Sequence, residues 1–494
     1  MDLTPKTRQI IGASILRLPN ELLVEIFSKL KKDNDIRYWH HATHVCRHWR
    51  SVALSASNLW DEPTTSLHKY TLVMLERSRE STLSIHLDYD VSEETRSETL
   101  KHMHRIDSLS VESWNEDLDD LQDELLQMSP NSFSKLKSFD ILQCPGPPYP
   151  AFKLSSSTLR HATSLKALVL DGIDFDWRLF PISTLTSLHL INSRISVSPS
   201  WTQFRDVLSG MPRLEGLFFN FNDLQIFTPP GHLEPLELPL LRDLEIYESH
   251  ASVTEAFLRH VKFPRLRYAN FETSMGNEDI SDYSPIIRTV LSVRAKGDFG
   301  DLSRLNISTK HFQVSPNCIY DWADSQSLWL MTGLGSVCSN TDEKGSVRFV
   351  CSVMAEIAAF PGDPASTIVS LSISVALTSE QLVPLFGHLP HLETIDSSVP
   401  SKAIIQSLKI SHLHPANSPF PFPKLNTITI DRYAKPSPAF LDDFCDCLMM
   451  RSEYGAAVDN LSVGWKLTAR DVQRLRELVV NFEVRARGWH GKYT

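Results

Sequence analysis

One six-residue pattern constrains this chain more than any other feature. It reads L-x-x-L-x-L, with other apolar residues allowed at the anchor positions. Copies stand at Leu136, Phe139 and Ile141, at Leu165, Leu168 and Leu170, and at Leu185, Leu188 and Leu190. They continue at Leu214, Leu217 and Phe219, at Leu241, Leu244 and Ile246, and at Leu266, Ala269 and Phe271. Two more stand at Leu392 and Ile395 and at Leu425, Ile428 and Ile430. Alternation at the end of each copy predicts a strand with one face turned inward. Steps between the first six anchors are 29, 20, 29, 27 and 25 residues. Such a unit is too small to close a core alone and must stack on its neighbours.

Helical spacing between the strands supplies the returning side. Phe204, Val207, Leu208 and Met211 fit one helix, and Ala256, Phe257, His260 and Val261 a second. Leu382, Leu385 and Phe386 fit a third, and Pro212, Pro264 and Pro390 follow as stops. The whole pattern resembles leucine-rich repeats in degenerate form. Cys144 and Asn222 occupy the family's Asn or Cys position, while other residues stand there elsewhere. The resemblance implies an α/β fold: an irregular leucine-rich-repeat solenoid, parallel strands on one side, helices and loops on the other. Residues 277–360 break the pattern, though Leu302, Leu305 and Ile307, and again Leu328 and Leu330, fit strands. Gly333 to Gly345 reads as a long loop. Near the end, Thr468 caps an amphipathic helix carrying Val472, Leu475, Leu478, Val479 and Phe482 on one face.

The first sixty residues obey a different rule. Pro19 suits the first turn of a helix, because the N–H it lacks would be unpaired there anyway. Leu22, Leu23, Ile26, Phe27 and Leu30 then form one broad apolar face. A second helical block carries Val45, Trp49, Val52, Ala53 and Ala56, followed by Leu59 and Trp60. So small a unit is more apolar than it can bury alone, which points to a docking surface. Leu18, Pro19, Glu21, Leu22, Leu23, Ile26, Phe27 and Leu30, then Val45, Cys46, Arg47, Trp49, Arg50, Ala53, Leu59 and Trp60, closely resemble the F-box motif. Trp39 and His48 depart from its usual pattern. The resemblance implies a three-helix head that binds the Skp adaptor of a cullin–RING ubiquitin ligase. It implies that Leu18, Pro19, Leu22, Ile26, Phe27 and Leu30, with Val45, Cys46 and Trp49, form the head's core and its adaptor-binding surface.

These readings divide the chain into a lead-in (1–14), the F-box head (15–62) and a linker helix with a first strand (63–105). A leucine-rich-repeat-like body (106–467) and a capping helix with its tail (468–494) complete it. Glu116 to Glu124 reads as a solvated acidic helix face. With 42% apolar and 22% charged residues the chain has the composition of an ordered protein. A net charge of −10 lacks the basic stripe of a general nucleic-acid binder. No apolar run approaches the length of a membrane span. Seven scattered cysteines are no disulfide framework and fit a cytoplasmic or nuclear home.

Catalytic motifs are missing: there is no phosphate loop, no H-E-x-x-H and no G-x-S-x-G. His40, His44 and His48 at four-residue steps suggest a zinc face, but a turn expected near His44 breaks it. Cys445 and Cys447 read as packing. No catalytic residue, metal or cofactor is therefore expected. A protein client should meet the outward strand positions, which nominates His189, Phe218, Asn220, Glu245, Tyr247, Tyr268, Asn270, Glu272, Thr429 and Asp431. The functional expectation is the substrate-recognition subunit of an SCF-type ubiquitin ligase. Its rival is an interaction scaffold acting outside ubiquitination.

Overall fold

The structure, a computed structural model, describes residues 18–33, 39–144, 152–155, 157–180, 182–191, 200–220, 235–275, 284–296, 304–307, 311–315, 327–334, 343–360, 364–373, 377–397, 402–409, 420–430 and 437–484. It is a mixed α/β chain with a helical N-terminal segment and parallel strands. Two compact units divide between Gly216 and Leu217.

Unit 1 opens with α1 (Asn20–Asp33), which starts directly after Pro19. The Pro19 carbonyl accepts from the Leu23 amide at 3.2 Å, so the proline stands at the cap, one place before the expected first turn. A 3₁₀ helix covers Trp39–His44, and α2 spans Arg47–Ser55. The middle helix of the expected three is thus a tight 3₁₀ segment. α3 (His68–Ser78), β1 (Leu83–Leu87), α4 (Glu93–Leu100), β2 (Ile106–Ser113) and α5 (Asn115–Gln127) follow. β3 (Ser138–Gln143), β4 (Ala167–Asp171), β5 (Ser187–Ile191) and α6 (Trp201–Ser209) complete the unit. Strands β1 to β5 pair in parallel and in chain order.

The anchors of the repeated pattern in this unit are all buried, from Leu136, Phe139 and Ile141 to Leu185, Leu188 and Leu190. Side chains alternate across a strand, so the residues between the anchors line the other face. The acidic stretch lies in α5, but only in part as a solvated face. Leu118, Leu121 and Leu125 are buried, and the helix presents Asp117, Asp120 and Glu124 to the almost fully buried Arg96.

Unit 2 carries β6 (Gly216–Asn220) from its second residue onward, β7 (Asp243–His250), α7 (Ala251–His260), β8 (Tyr268–Met275) and α8 (Ser284–Lys296). β9 (Arg304–Ile307), β10 (His311–Ser315), β11 (Ser327–Leu334), α9 (Glu343–Ala359), β12 (Ser370–Ile373) and α10 (Ser379–Phe386) follow. The last part comprises β13 (Thr394–Ser397), α11 (Lys402–Leu408), β14 (Thr427–Ile430), α12 (Pro438–Glu453), β15 (Asn460–Val463), α13 (Ala469–Leu478) and β16 (Asn481–Val484). Every anchor of the pattern in this unit is again buried.

Three expectations need correction here. The strands foreseen near Leu305 and Leu328 are β9 and β11, but β10 runs antiparallel to both, and the order in space is β8-β11-β10-β9-β12. A meander inserted in reverse is not another copy of a unit that returns by crossover, which is why the pattern is lost there. Gly333 belongs to β11 and not to a loop. The final helix stops at Leu478, and Phe482 sits on β16, which pairs in parallel with β15. Among the described residues no helix is long and apolar enough to cross a membrane.

Candidate functional site

The helical head closes its core with help from beyond the motif. Leu23 and Phe27 of α1, Trp39, Val52 and Ala53 of α2, Leu59 and Trp60 form one buried cluster, which Met74 of α3 completes. Trp39, a departure from the motif, is fully buried with its ring 5.0 Å edge-on from Trp60. The Trp60 Nε1–H donates to the Ala53 carbonyl at 2.9 Å, and the Arg77 guanidinium covers its ring at 4.5 Å. Cys46 caps α2, its Sγ accepting from the Trp49 amide at 3.4 Å. The head is therefore joined to α3 through shared packing.

The chain leaving the head also seals β1. The Ser84 amide donates to the Asp61 carbonyl at 2.9 Å, and the Thr65 hydroxyl to the His86 carbonyl at 2.7 Å. These bonds occupy backbone groups along β1, whose other partner is β2. Lys31, its side chain almost buried, ties the end of α1 to the Asp61 carboxylate and, at 3.3 Å, to Glu62.

With this core closed, a stripe of apolar residues stays outside it. Leu22 is 46% exposed, Ile26 39% and Leu30 38%, each one turn of α1 after the last, and Val45 is 61% exposed. Pro19 is exposed at the start of the same helix. The other motif residues are placed differently. Phe27 is fully buried, so it offers no surface to a partner, and Leu18 and Trp49 are half-buried against the core. The nine residues nominated for one role thus separate into a supporting set and a presented set. Sequence missed Trp39 and Met74 as core. Their signal was the excess of large apolar side chains around the motif.

His40, His44 and His48 do not share a helix face. His40 stacks on Trp60 at 5.6 Å and hydrogen-bonds the Tyr70 hydroxyl through Nε2 at 2.6 Å, while His44 and His48 are exposed. Among the described residues no group of three or more potential ligands is placed to hold a metal. Burial, followed by the positive field of Arg77, pushes the His40 imidazole down to about 4. An unfolded chain takes up this proton near the ordinary 6.5, so stability is present above that value and is lost as pH falls toward 4. The loss should be about 1–2 kcal/mol after allowance for partial exposure. Urea midpoints at pH 7 and 4.5 check this: His40→Phe should shift less on acidification than the unaltered chain, and equal shifts would contradict it.

Cys445 and Cys447 are buried in α12, their thiols pushed up by burial, and Cys447 Sγ donates to the Ile405 carbonyl at 3.8 Å.

The nominated client residues are only partly brought together. His189 lies on β5 of unit 1, its Nε2 2.9 Å from the Ser187 hydroxyl, in register with Val169, Asp140, Ser110 and His86. In unit 2, Phe218 is half-buried on β6, while Glu245, Tyr268 and Asn270 are neighbours on β7 and β8. Asn220, Tyr247 and Glu272 are placed on β6, β7 and β8 by backbone alone, and Asp431 lies outside the described residues. Thr429 needs correction: it is 6% exposed, in register between Asp396 and Ser462, and presents little to a partner. Asp243, opposite Tyr268, was missed, although it holds the same place in its copy that the nominated Tyr268 holds in the next.

A comparison with curated proteins finds no match. Against protein families, residues 15–66 match the model described as F-box-like, and the helical head is therefore an F-box-like domain.

Proposed function

We propose that the chain is the substrate-recognition subunit of an SCF-type ubiquitin ligase. Its F-box-like domain holds the Skp adaptor, and through it a cullin–RING ligase, in the cytoplasm or nucleus. The strand-bearing body, an irregular leucine-rich-repeat-like solenoid, holds a protein client. The chain contributes proximity and orientation, and transfer chemistry belongs to its partners.

One observation carries this reading: the domain keeps Leu22, Ile26, Leu30 and Val45 outside a core that is already closed. Leu22, Ile26 and Leu30 at successive turns of one helix, and Val45 before α2, are costly unless covered, and burying the remaining surface of all four would yield about 4 kcal/mol. F-box domains generally bind the Skp adaptor, and this stripe is the surface available for it. Packing of the head onto α3 fixes how the adaptor would sit relative to β1.

The test is adaptor capture by the full chain carrying Leu22→Asp with Ile26→Asp. Both residues are exposed, so the unfolding curve should be unchanged, while adaptor affinity falls by about 100-fold or more. Leu18 is unsuited to this experiment because it packs against the core. Undiminished capture by the double variant would remove the adaptor reading.

A further inference from the structure

Tyr89 and Trp114 stand just beyond the carboxyl ends of β1 and β2 and are 52% and 41% exposed. Among the described residues of unit 1 no other tyrosine, tryptophan or phenylalanine is exposed. These two touch, with ring centroids 6.5 Å apart and planes at 70°. Large rings left facing water in contact with each other are the usual anchors of a partner. Trp114 is extended, at φ −80° and ψ 163°, so strand alternation puts its side chain on the face of Glu112. Asp88 and Glu112 follow Leu87 and Val111, which are partners in register, and both acidic residues are half-buried. The Glu112 carboxylate accepts from the Cys144 thiol at 4.0 Å, and the Asp88 carboxylate from the Tyr89 amide at 2.8 Å. Among the described residues no cation pairs with either carboxylate. Basic side chains of these strands stand at the opposite end, Arg105 before β2 and Lys135 and Lys137 before β3. The amino ends of α4 and α5 open nearby, but Glu93, Glu94 and Asp117 in their own first turns answer those dipoles. The two rings are thus edged by negative charge that lacks a cation.

We propose that Tyr89 and Trp114, edged by Asp88 and Glu112, form a seat for a lysine or arginine side chain of the protein client. The assignment rests on the reading of the strand-bearing body as the client-binding part. An aromatic face attracts a cation through its quadrupole, and a carboxylate beside the ring adds an ion pair. The apolar stem of either residue covers ring surface that now meets water. Charge decides the class of occupant. A phosphorylated or acidic client residue would bring more negative charge to two carboxylates, and an apolar one would leave both unanswered. His86, two residues before Asp88, has its Nδ1 3.2 Å from the Ser110 hydroxyl and pairs with neither carboxylate. The repeated pattern did not nominate these rings, because both stand before its first copy at Leu136.

The full chain, labelled with fluorotryptophan, is titrated with the N-acetyl amides of arginine, lysine, citrulline and glutamate while fluorine NMR follows Trp114. Trp114→Phe identifies its resonance, and the other tryptophan resonances report that each variant is folded. Arginine and lysine amides should shift the Trp114 resonance and bind about tenfold tighter than citrulline amide, the combined worth of one cation–π contact and one exposed ion pair. Citrulline keeps the shape of arginine without its charge. Glutamate amide should leave the resonance in place. Asp88→Asn with Glu112→Gln keeps both side-chain shapes and should lose the preference for charge, and Tyr89→Leu should weaken binding of both cations. Glu76→Gln, which removes an exposed charge on α3, should leave the preference intact. Equal binding of arginine and citrulline amides, a response to glutamate amide, or full preference in the double carboxylate variant would overturn the seat. Adaptor capture by the same preparations reports separately: its failure with a working seat removes the ligase reading, and its success with no preference for charge removes the seat.

Discussion

Arg451→Met should destabilise unit 2 by about 3 kcal/mol, because it leaves the Leu408 and Pro421 carbonyls without a donor and the Phe422 carbonyl with the Leu425 amide alone. Arg451 projects from α12 and is fully buried. Nη2 donates to the Phe422 carbonyl at 2.6 Å, and Nη1 to the Pro421 carbonyl at 3.1 Å and the Leu408 carbonyl at 3.5 Å. Leu408 ends α11, whose last carbonyls have no partner within the helix. Phe422 adopts φ +56°, a left-handed conformation that a bulky residue takes only when its surroundings impose it. The guanidinium thus fastens the end of one helix and the turn before β14 to a third element. Burial pushes its pKa down to about 10, which still leaves it charged at neutral pH. Methionine fills much of the volume and supplies none of the donors. Arg451→Lys should cost less, since one ammonium can still reach one or two of the carbonyls. Urea unfolding measures the loss, and hydrogen exchange over residues 420–430 should quicken with it. A change below about 1 kcal/mol would mean that water replaces the guanidinium at these carbonyls.

Nothing in the sequence around Arg451 announces this role. It follows Met450 in a helix whose apolar positions are legible, and it reads as one more surface arginine. Its partners come from segments about thirty and forty residues earlier, and tertiary contacts of that kind leave no local period. Strand positions were legible for the opposite reason. Leu165, Leu168 and Leu170 repeat what Leu136, Phe139 and Ile141 require, so each copy supports the reading of the next. The same logic fails between β8 and β12. There β10 runs backwards, and a reversed strand shares the alternation of its neighbours but not their connection. Alternation also nominated outward residues without saying which are covered. Thr429 and Glu245 occupy equivalent places in their copies, yet Thr429 is buried and Glu245 remains half-exposed beside Tyr268.

Within the F-box-like domain the sequence supplied the helices and withheld the division of labour. Leu22, Leu23, Ile26 and Phe27 are all large and apolar on one broad stripe. Rotation of about 100° per residue turns Leu23 and Phe27 inward, leaving Leu22 and Ile26 at the edge. Which edge is covered depends on Trp39, Trp60 and Met74, and Met74 comes from α3, outside the motif.

That division can be measured in a single pair of variants. Phe27→Ala should destabilise the head by about 3–5 kcal/mol, the usual cost of deleting a fully buried phenylalanine. Its ring is fully buried and packs edge-on against Trp49 at 5.3 Å, so truncation opens a cavity that α1 and α2, both held by further contacts, cannot collapse to fill. Ile26→Ala, one residue earlier, removes a side chain that already faces water and should change stability by less than about 1 kcal/mol. Adaptor affinity should respond in the opposite order of directness. Ile26→Ala should weaken it in a head that remains fully folded, whereas Phe27→Ala should weaken it only to the extent that the head unfolds. Lowering the temperature should restore capture to Phe27→Ala and not to Ile26→Ala. If Phe27→Ala were as stable as the unaltered chain, the core would not be the closed cluster described above. The exposed stripe would then lose its status as surplus to the fold.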